Sequence, residues 1–153
     1  MNRNPSGLLF SLCIDGFVKY KTAEGLSQRT VDSYEWVLRK WMEKIGDQPV
    51  GKITSADVLD YMTYLRTEYV PHTFAKPNPA HDAPTRKLSP KTLRNHWITF
   101  KAFFGWAVAE FKIKNPMEGI PGPRYKEAPV AAFTQEDLAA LLKACVYSRE
   151  YNP

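Results

Sequence analysis

Nine of the twelve prolines fall into two clusters, and this distribution restricts what the chain can fold into. The first cluster extends from Pro71 to Pro90, and the second extends from Pro116 to Pro129. Because proline lacks a backbone donor and breaks a helix interior, no regular element crosses either cluster. The stretches between the clusters have the three-and-four spacing of buried helix faces, and none has the strict alternation of a strand. We therefore predict an all-α fold.

Four helices are predicted before the second proline cluster, over about 7–24, 28–45, 54–69 and 89–111. Ser27 and Ser89 are the expected N-caps of the second and fourth helices. Thr54 and Asp57 form a pair like a capping box at the start of the third. The apolar stripe expected in the first helix is Leu9, Cys13, Phe17 and Tyr20. The stripe expected in the fourth is Leu93, Trp97, Phe100, Phe104, Ala107 and Phe111.

A fifth helix is predicted after the second cluster, with Thr134 and Asp137 at its start and an apolar stripe that ends at Cys145. One amphipathic helix cannot build a core, so we expect it to begin a second domain that is cut short. A length of 153 residues suits one domain and part of another. The segment 70–88 has no apolar period, and we expect it to be a long exposed loop.

The net charge of +5 is unevenly distributed along the chain. Residues 1–69 carry nine basic and nine acidic side chains, 70–126 carry ten and three, and 127–153 carry two and four. The net charges of the three parts are therefore 0, +7 and −2. In the fourth helix Lys91, Arg94, Asn95 and Lys101 fall on the side opposite the apolar stripe. A charge run is often only a solvated face, but this one also suits the major groove of DNA.

The opening turn of the second helix offers a second set of hydrogen-bonding groups. These groups are the side chains of Ser27, Gln28, Arg29 and Thr30, with Ser33 one turn later. The first backbone N–H groups of the helix, which have no partner within it, are suited to phosphate as well. A capped and solvated helix start explains the same residues equally well.

Cysteine and histidine placement favours neither a disulfide framework nor a metal centre. Cys13 and Cys145 each lie among apolar residues, as buried free thiols of a reducing compartment do. His72 and His81 do not have metal-ligand spacing, either with each other or with these cysteines, so we expect no metal and no cofactor. There is no secretory leader and no apolar run long enough to span a membrane, so we expect a cytoplasmic protein.

An ordered series of segments resembles the tyrosine recombinases, or phage-type integrases. The resemblance covers about residues 8–145 and is strongest in a series that a basic linker follows: Thr92, Phe103, Phe104, Trp106, Ala107, Asn115 and Pro116. Other matching segments are LSQRTVDSYEWVLRKW (26–41), ITSADVLDYMTYL (53–65) and FTQEDLAALLKA (133–144).

The resemblance implies that residues 1–120 form a core-binding domain, 121–132 an interdomain linker and 133–153 the start of a catalytic domain. The domain would be a four-helix, SAM-like orthogonal bundle that makes half of a C-shaped clamp around DNA. In the family the second and fourth helices face the DNA. The expected DNA contacts are Arg29, Ser33, Lys87, Lys91, Arg94, Asn95 and Lys101.

The resemblance also implies which chemistry is absent from these residues. Family members cleave DNA with a tyrosine nucleophile, assisted by arginines, a lysine and His or Trp residues of the catalytic domain. No residue here matches those positions, so we expect this chain alone to be inactive and its parent protein to be a recombinase. The implied partners are double-stranded DNA and other recombinase protomers, as a tetramer on DNA.

Two other functions remain open from the residues alone. The same bundle could be a helical protein-interaction module that binds no nucleic acid. A helix-turn-helix regulator would have its two DNA-proximal helices adjacent through a short turn. Here a helix and a long loop separate them.

Overall fold

The computed structural model describes residues 7–71, 87–126 and 132–144, and within them the regular elements are helices. The α-helices are α1 (Phe10–Ala23), α2 (Gln28–Ile45), α3 (Ser55–Thr67), α4 (Pro90–Phe111) and α5 (Gln135–Ala144). A single 3₁₀ turn (Val50–Lys52) lies between α2 and α3. The only strand-like pairing among these residues is an isolated bridge between Leu9 and Pro49. The all-α prediction is confirmed.

The residues predicted as N-caps of α2, α3 and α4 occupy the N-cap positions of those helices. Ser27 and Ser89 each accept a hydrogen bond from the backbone N–H three residues later, and Thr54 with Asp57 forms a complete capping box. Gly46 ends α2 with φ +83°, a conformation that glycine adopts without the steric cost of a Cβ. An N-cap of this kind is worth about 1 kcal/mol, so these short motifs stabilise the helix starts where the sequence places them.

Aromatic side chains dominate the core, and Trp41 of α2 is at its centre. Its ring centroid lies 4.6 Å from that of Phe100 on α4 and 5.4 Å from that of Phe10 on α1. Tyr61 joins α3 to the same cluster, at 6.0 Å from Trp41. These separations suit edge-to-face and tilted aromatic pairs. The four helices therefore share one core.

The predicted stripe of the first helix is wrong at both ends. Leu9 and Tyr20 are 41% and 49% exposed, and Phe10 and Ile14 are buried in their place beside Cys13. Leu9 precedes the helix as its N-cap and pairs with Pro49, which turns its side chain away from the core. The third helix also ends two residues earlier than expected, at Thr67.

The predicted stripe of the fourth helix needs a smaller correction. Trp97 and Phe111 are half-buried, whereas His96, Thr99 and Phe103 are fully buried. Thr99 satisfies its hydroxyl by donating to the carbonyl of Asn95, at 3.0 Å. The buried face is thus wider than the apolar pattern indicated, because it includes two polar residues.

Two of the earlier predictions concern residues that the structure describes only in part. Cys13 is a free, buried thiol, as predicted, and burial together with the charge of Asp47 raises its pKa to about 11. Cys145 lies outside the described residues, as does most of the predicted loop, from 72 to 86. Every described residue of α5 is exposed, including Leu142 at 75%.

Candidate nucleic-acid interface

Local sequence signals determine where α4 begins and how long it is. Ser89 accepts hydrogen bonds from the backbone of Thr92, and Pro90 occupies the first turn, where its missing N–H costs nothing. The whole helix has 22 residues. After Pro90 it contains no further proline, and its one glycine is Gly105. At 1.5 Å per residue its axis is about 33 Å long, which is enough to reach across a DNA groove.

One side of α4 is buried and the other is cationic. Lys91, Arg94, Asn95 and Lys101 are all exposed, and we call these four residues the cationic face. Successive helix residues are rotated by about 100°, which places this face on the side away from the buried residues. Lys87, just before the helix, is exposed too. The structure thus brings five of the seven predicted contact residues onto or beside one helix.

In the part of the chain that the structure describes, no acidic side chain pairs with the basic residues of this helix. Within the described ranges, no carboxylate lies within 4.0 Å of the charged nitrogens of Lys87, Lys91, Arg94 or Lys101. The one acid in α4 is Glu110, nine residues after Lys101 and about 14 Å farther along the axis. Cations without acidic neighbours are available to phosphate oxygens.

Lys101 has an aromatic neighbour instead of an acidic one. Its ammonium lies 5.1 Å from the ring centroid of Trp97, one turn earlier on the helix. A cation over an indole face keeps its charge and loses some side-chain freedom. Lys101 is therefore held close to the edge of the cationic face and stays exposed.

On α2, the structure narrows the predicted set of polar side chains. Ser27 caps the helix and shares a hydrogen bond with the hydroxyl of Thr30, and Gln28 donates to Asp32. Arg29 and Ser33 are exposed, and the part of the chain that is described contains no hydrogen bond or ion pair to either side chain. They are the two residues of this turn that sequence reasoning assigned to DNA, and they are the ones available for contact.

α2 approaches α4 through a contact between Trp36 and His96. Their ring centroids are 6.1 Å apart, with the rings tilted edge to face. Trp36 follows Ser33 by three residues, and His96 is adjacent to Asn95. Residues three apart on a helix share a face, so Ser33 lies on the side of α2 that contacts α4 at His96.

The same contact closes one end of an aromatic cleft between α2, α3 and the first turns of α4. The cleft has a volume of about 630 Å³, and its walls include Trp36, Tyr61, Tyr64 and His96. Lys44 lies 4.1 Å from the ring centroid of Tyr64. The lining is therefore mainly aromatic and apolar, and its charged side chains are Lys40, Glu43 and Lys44.

His96 is a buried neighbour of the cationic face that the predicted apolar stripe of α4 does not include. It is 3% exposed, and no described residue forms a hydrogen bond with its Nδ1. Burial lowers its pKa to about 4, so the imidazole is neutral at pH 7. The available signal was its spacing, because it follows Leu93 by three residues and precedes Phe100 by four.

In residues 7–71, 87–126 and 132–144, no three His, Cys, Asp or Glu side chains form a group that could hold a metal ion. None of the helices in those ranges is long and apolar enough to span a membrane.

Searches against protein-family models, curated proteins and solved structures find no match for this chain.

Proposed function

We propose that this chain is the DNA-binding core-binding region of a site-specific tyrosine recombinase. In this proposal α1–α4 are a SAM-like bundle that makes half of a clamp around the DNA crossover site. α5 begins the catalytic domain. Recombinase protomers assemble as a tetramer on the DNA. The resemblance of the sequence to that family motivates the proposal, and the cationic face of α4 carries it.

The cationic face supports DNA binding because its position and charge agree. Lys91, Arg94 and Lys101 are exposed on a rigid helix whose opposite side is anchored in the aromatic core. Side chains on a rigid helix are held in register with a regular phosphate backbone. Arg94 and Asn95 carry the planar donor and acceptor groups that read guanine and adenine edges in the major groove.

Fluorescence anisotropy of the 153-residue chain on labelled duplex DNA, across a salt series, tests this function. Contacts to about four or five phosphates predict a slope of log K against log salt of roughly −4. Affinity is expected to be weak, because half of the proposed clamp is not part of this chain. Failure to bind duplex DNA at low salt, or binding that salt does not weaken, contradicts the proposal.

A protein-interaction module without nucleic-acid binding is the second candidate, and exposed apolar side chains favour it. Leu138, Leu141 and Leu142 of α5 are 48%, 48% and 75% exposed. In a recombinase, the rest of the catalytic domain would cover them. A chain that leaves DNA unbound but self-associates, with loss of association after Leu141→Glu, would favour this second candidate.

A further inference from the structure

The chain beyond α4 folds back along the helix. Lys112 adopts a left-handed conformation at the C-cap, with φ +56°, and ends the helix. Ile113 and Met117 are buried, and Asn115 accepts a hydrogen bond from the backbone N–H of Met117, at 3.0 Å. Ile120 packs against the same core. We call residues 112–126 the exit segment.

The exit segment reaches α4 again at Trp97. A Cβ on Gly122 would lie 3.5 Å from three atoms of the Trp97 ring, so the two residues are in direct contact. Trp97 precedes Phe111, the last residue of α4, by 14 positions, or about 21 Å along the axis. The exit segment therefore runs antiparallel to α4 over more than half of the helix, although its proline and glycine content is typical of a free linker.

Trp97 lies between the exit segment and the cationic face. Lys101 covers its ring, and Gly122 also contacts that ring. Around the helix axis, Trp97 is about 40° from Lys101 and about 60° from Arg94, at 100° per residue. The exit segment consequently borders the cationic face along the edge that Arg94 and Lys101 form.

Arg124 and Lys126 follow directly after this contact. Both are exposed, and neither forms an ion pair with a carboxylate of the described residues. An extended chain covers at most about 3.6 Å per residue, so their Cα atoms lie within about 7 and 14 Å of Gly122.

We propose that Arg124 and Lys126 form a second row of phosphate-binding side chains beside the cationic face, and that Trp97 is the positioning residue that holds this row in place. The proposal rests on the function proposed above and extends its surface to a segment that the sequence assigns to a linker. The ligand chemistry is the sugar-phosphate backbone of duplex DNA, which lysine and arginine contact without reading sequence.

The test compares two double variants that each remove two positive charges from the exit segment. Arg124→Ala with Lys126→Ala removes the proposed row. Lys112→Gly with Lys114→Ala removes charges at the other end of the segment, and glycine suits the left-handed backbone of Lys112. Salt slopes are measured by anisotropy on several unrelated duplex sequences.

The first variant is expected to make the slope less steep by about 0.9 for each lost phosphate contact, close to 2 in total, and equally for every sequence. The second is expected to keep the wild-type slope. Equal slopes for both variants, or a loss limited to one sequence, would overturn the proposal. If the wild type binds DNA with the expected salt slope and Arg124→Ala with Lys126→Ala leaves that slope unchanged, the proposed function stands and this extension is wrong.

The positioning role of Trp97 has a separate readout. When Trp97→Leu is already present, adding Arg124→Ala with Lys126→Ala should lower DNA affinity only slightly further, because the row is already displaced. Lys91→Ala is the control, and it should lower affinity by as much as it does in the wild type. Trp97→Phe should restore the effect of the double variant. Circular dichroism confirms that each variant is folded. Full additivity in the Trp97→Leu background would show that Trp97 does not position the row.

Discussion

Two basic residues in the second half of α2, Arg39 and Lys40, have surroundings opposite to those of the basic residues on α4. On α2, Arg39 bonds to Asp15 and Glu35, and Lys40 lies 2.8 Å from Glu43. On α4, the described residues place no carboxylate near Lys91, Arg94 or Lys101. The two helices differ little in number of basic residues, so the count alone does not mark a binding surface. What distinguishes the α4 cations from Arg39 and Lys40 is that the described residues provide them with no acidic partner.

Both helices nevertheless pack into one core. Replacing Trp41, at the centre of that core, tests whether α2 and α4 share their main packing. Trp41 of α2 contacts Phe100 of α4 at 4.6 Å between ring centroids. Trp41→Ala should lower the free energy of unfolding by about 3–5 kcal/mol, because it leaves a cavity among aromatic rings. Urea denaturation measures this. A loss below about 1 kcal/mol would show that α2 and α4 do not share their main packing.

The burial of His96, beside Trp36, predicts how the free energy of unfolding changes with pH. Burial lowers the folded-state pKa of His96 to about 4, against an ordinary value of 6.5. Between these values the unfolded chain binds a proton that the folded chain does not, so stability falls as pH decreases from 6.5 to 4. The loss approaches about 3 kcal/mol at the lower end.

Urea denaturation at pH 7.0, 5.5 and 4.0, for the wild type and for His96→Gln, isolates this effect. The variant keeps the contributions of all other titrating groups and should lose most of the pH dependence in this window. An identical pH dependence in both proteins would contradict the burial of a neutral imidazole at the junction of α2 and α4.

Within the cationic face, Arg94 and Lys101 are expected to act differently. Arg94→Ala should relax discrimination at one base pair by about 1–3 kcal/mol, because arginine reads guanine bidentately. Lys101→Ala should weaken binding to all sequences alike. Selection from a pool of random duplexes, followed by competition between selected sites, measures both. Equal loss of preference in the two variants would remove Arg94 from base readout.

The smallest effect is expected at Arg39 of α2, whose guanidinium is paired with two carboxylates. Arg39→Ala removes two ion pairs whose members are a third or more exposed. Pairs of that kind contribute about 0.2–1 kcal/mol each, so the loss of stability should be slight. DNA affinity should stay at the wild-type level. A drop in affinity as large as that of an α4 variant would extend the binding surface to paired cations.

Helix limits could be predicted because their signals are local. Ser27, Thr54 and Ser89 each act on a backbone N–H three residues away, and a short sequence window contains both partners. The buried face of α1 could not be predicted as well, because the pairing of Leu9 with Pro49 depends on chain 40 residues distant. The ring of Tyr20 packs against Trp106 of α4, at 6.2 Å between ring centroids, and is not part of the core.

In the candidate site, too, features set by one helix could be predicted from sequence and features set by tertiary packing could not. Lys91, Arg94, Asn95 and Lys101 could be found from sequence because they share one helix and helical spacing identifies a face. The burial of His96 and the contact of Gly122 with Trp97 could not, since each depends on packing between separate segments. A proline- and glycine-rich composition predicts a linker, and only tertiary contact shows that part of it lies against α4.

Salt dependence of DNA binding, measured in parallel for three proteins, tests the central comparison most directly. The proteins are the wild type, the variant Lys91→Ala/Arg94→Ala/Lys101→Ala on α4, and the variant Arg39→Ala/Lys40→Ala on α2. The predicted slopes of log K against log salt are roughly −4, −1.3 and −4, since each of the three positive charges removed from α4 makes the slope less steep by about 0.9. An α4 variant that keeps the wild-type slope, or an α2 variant that loses as much slope as the α4 variant, would contradict the assignment of DNA binding to the unpaired cations of α4.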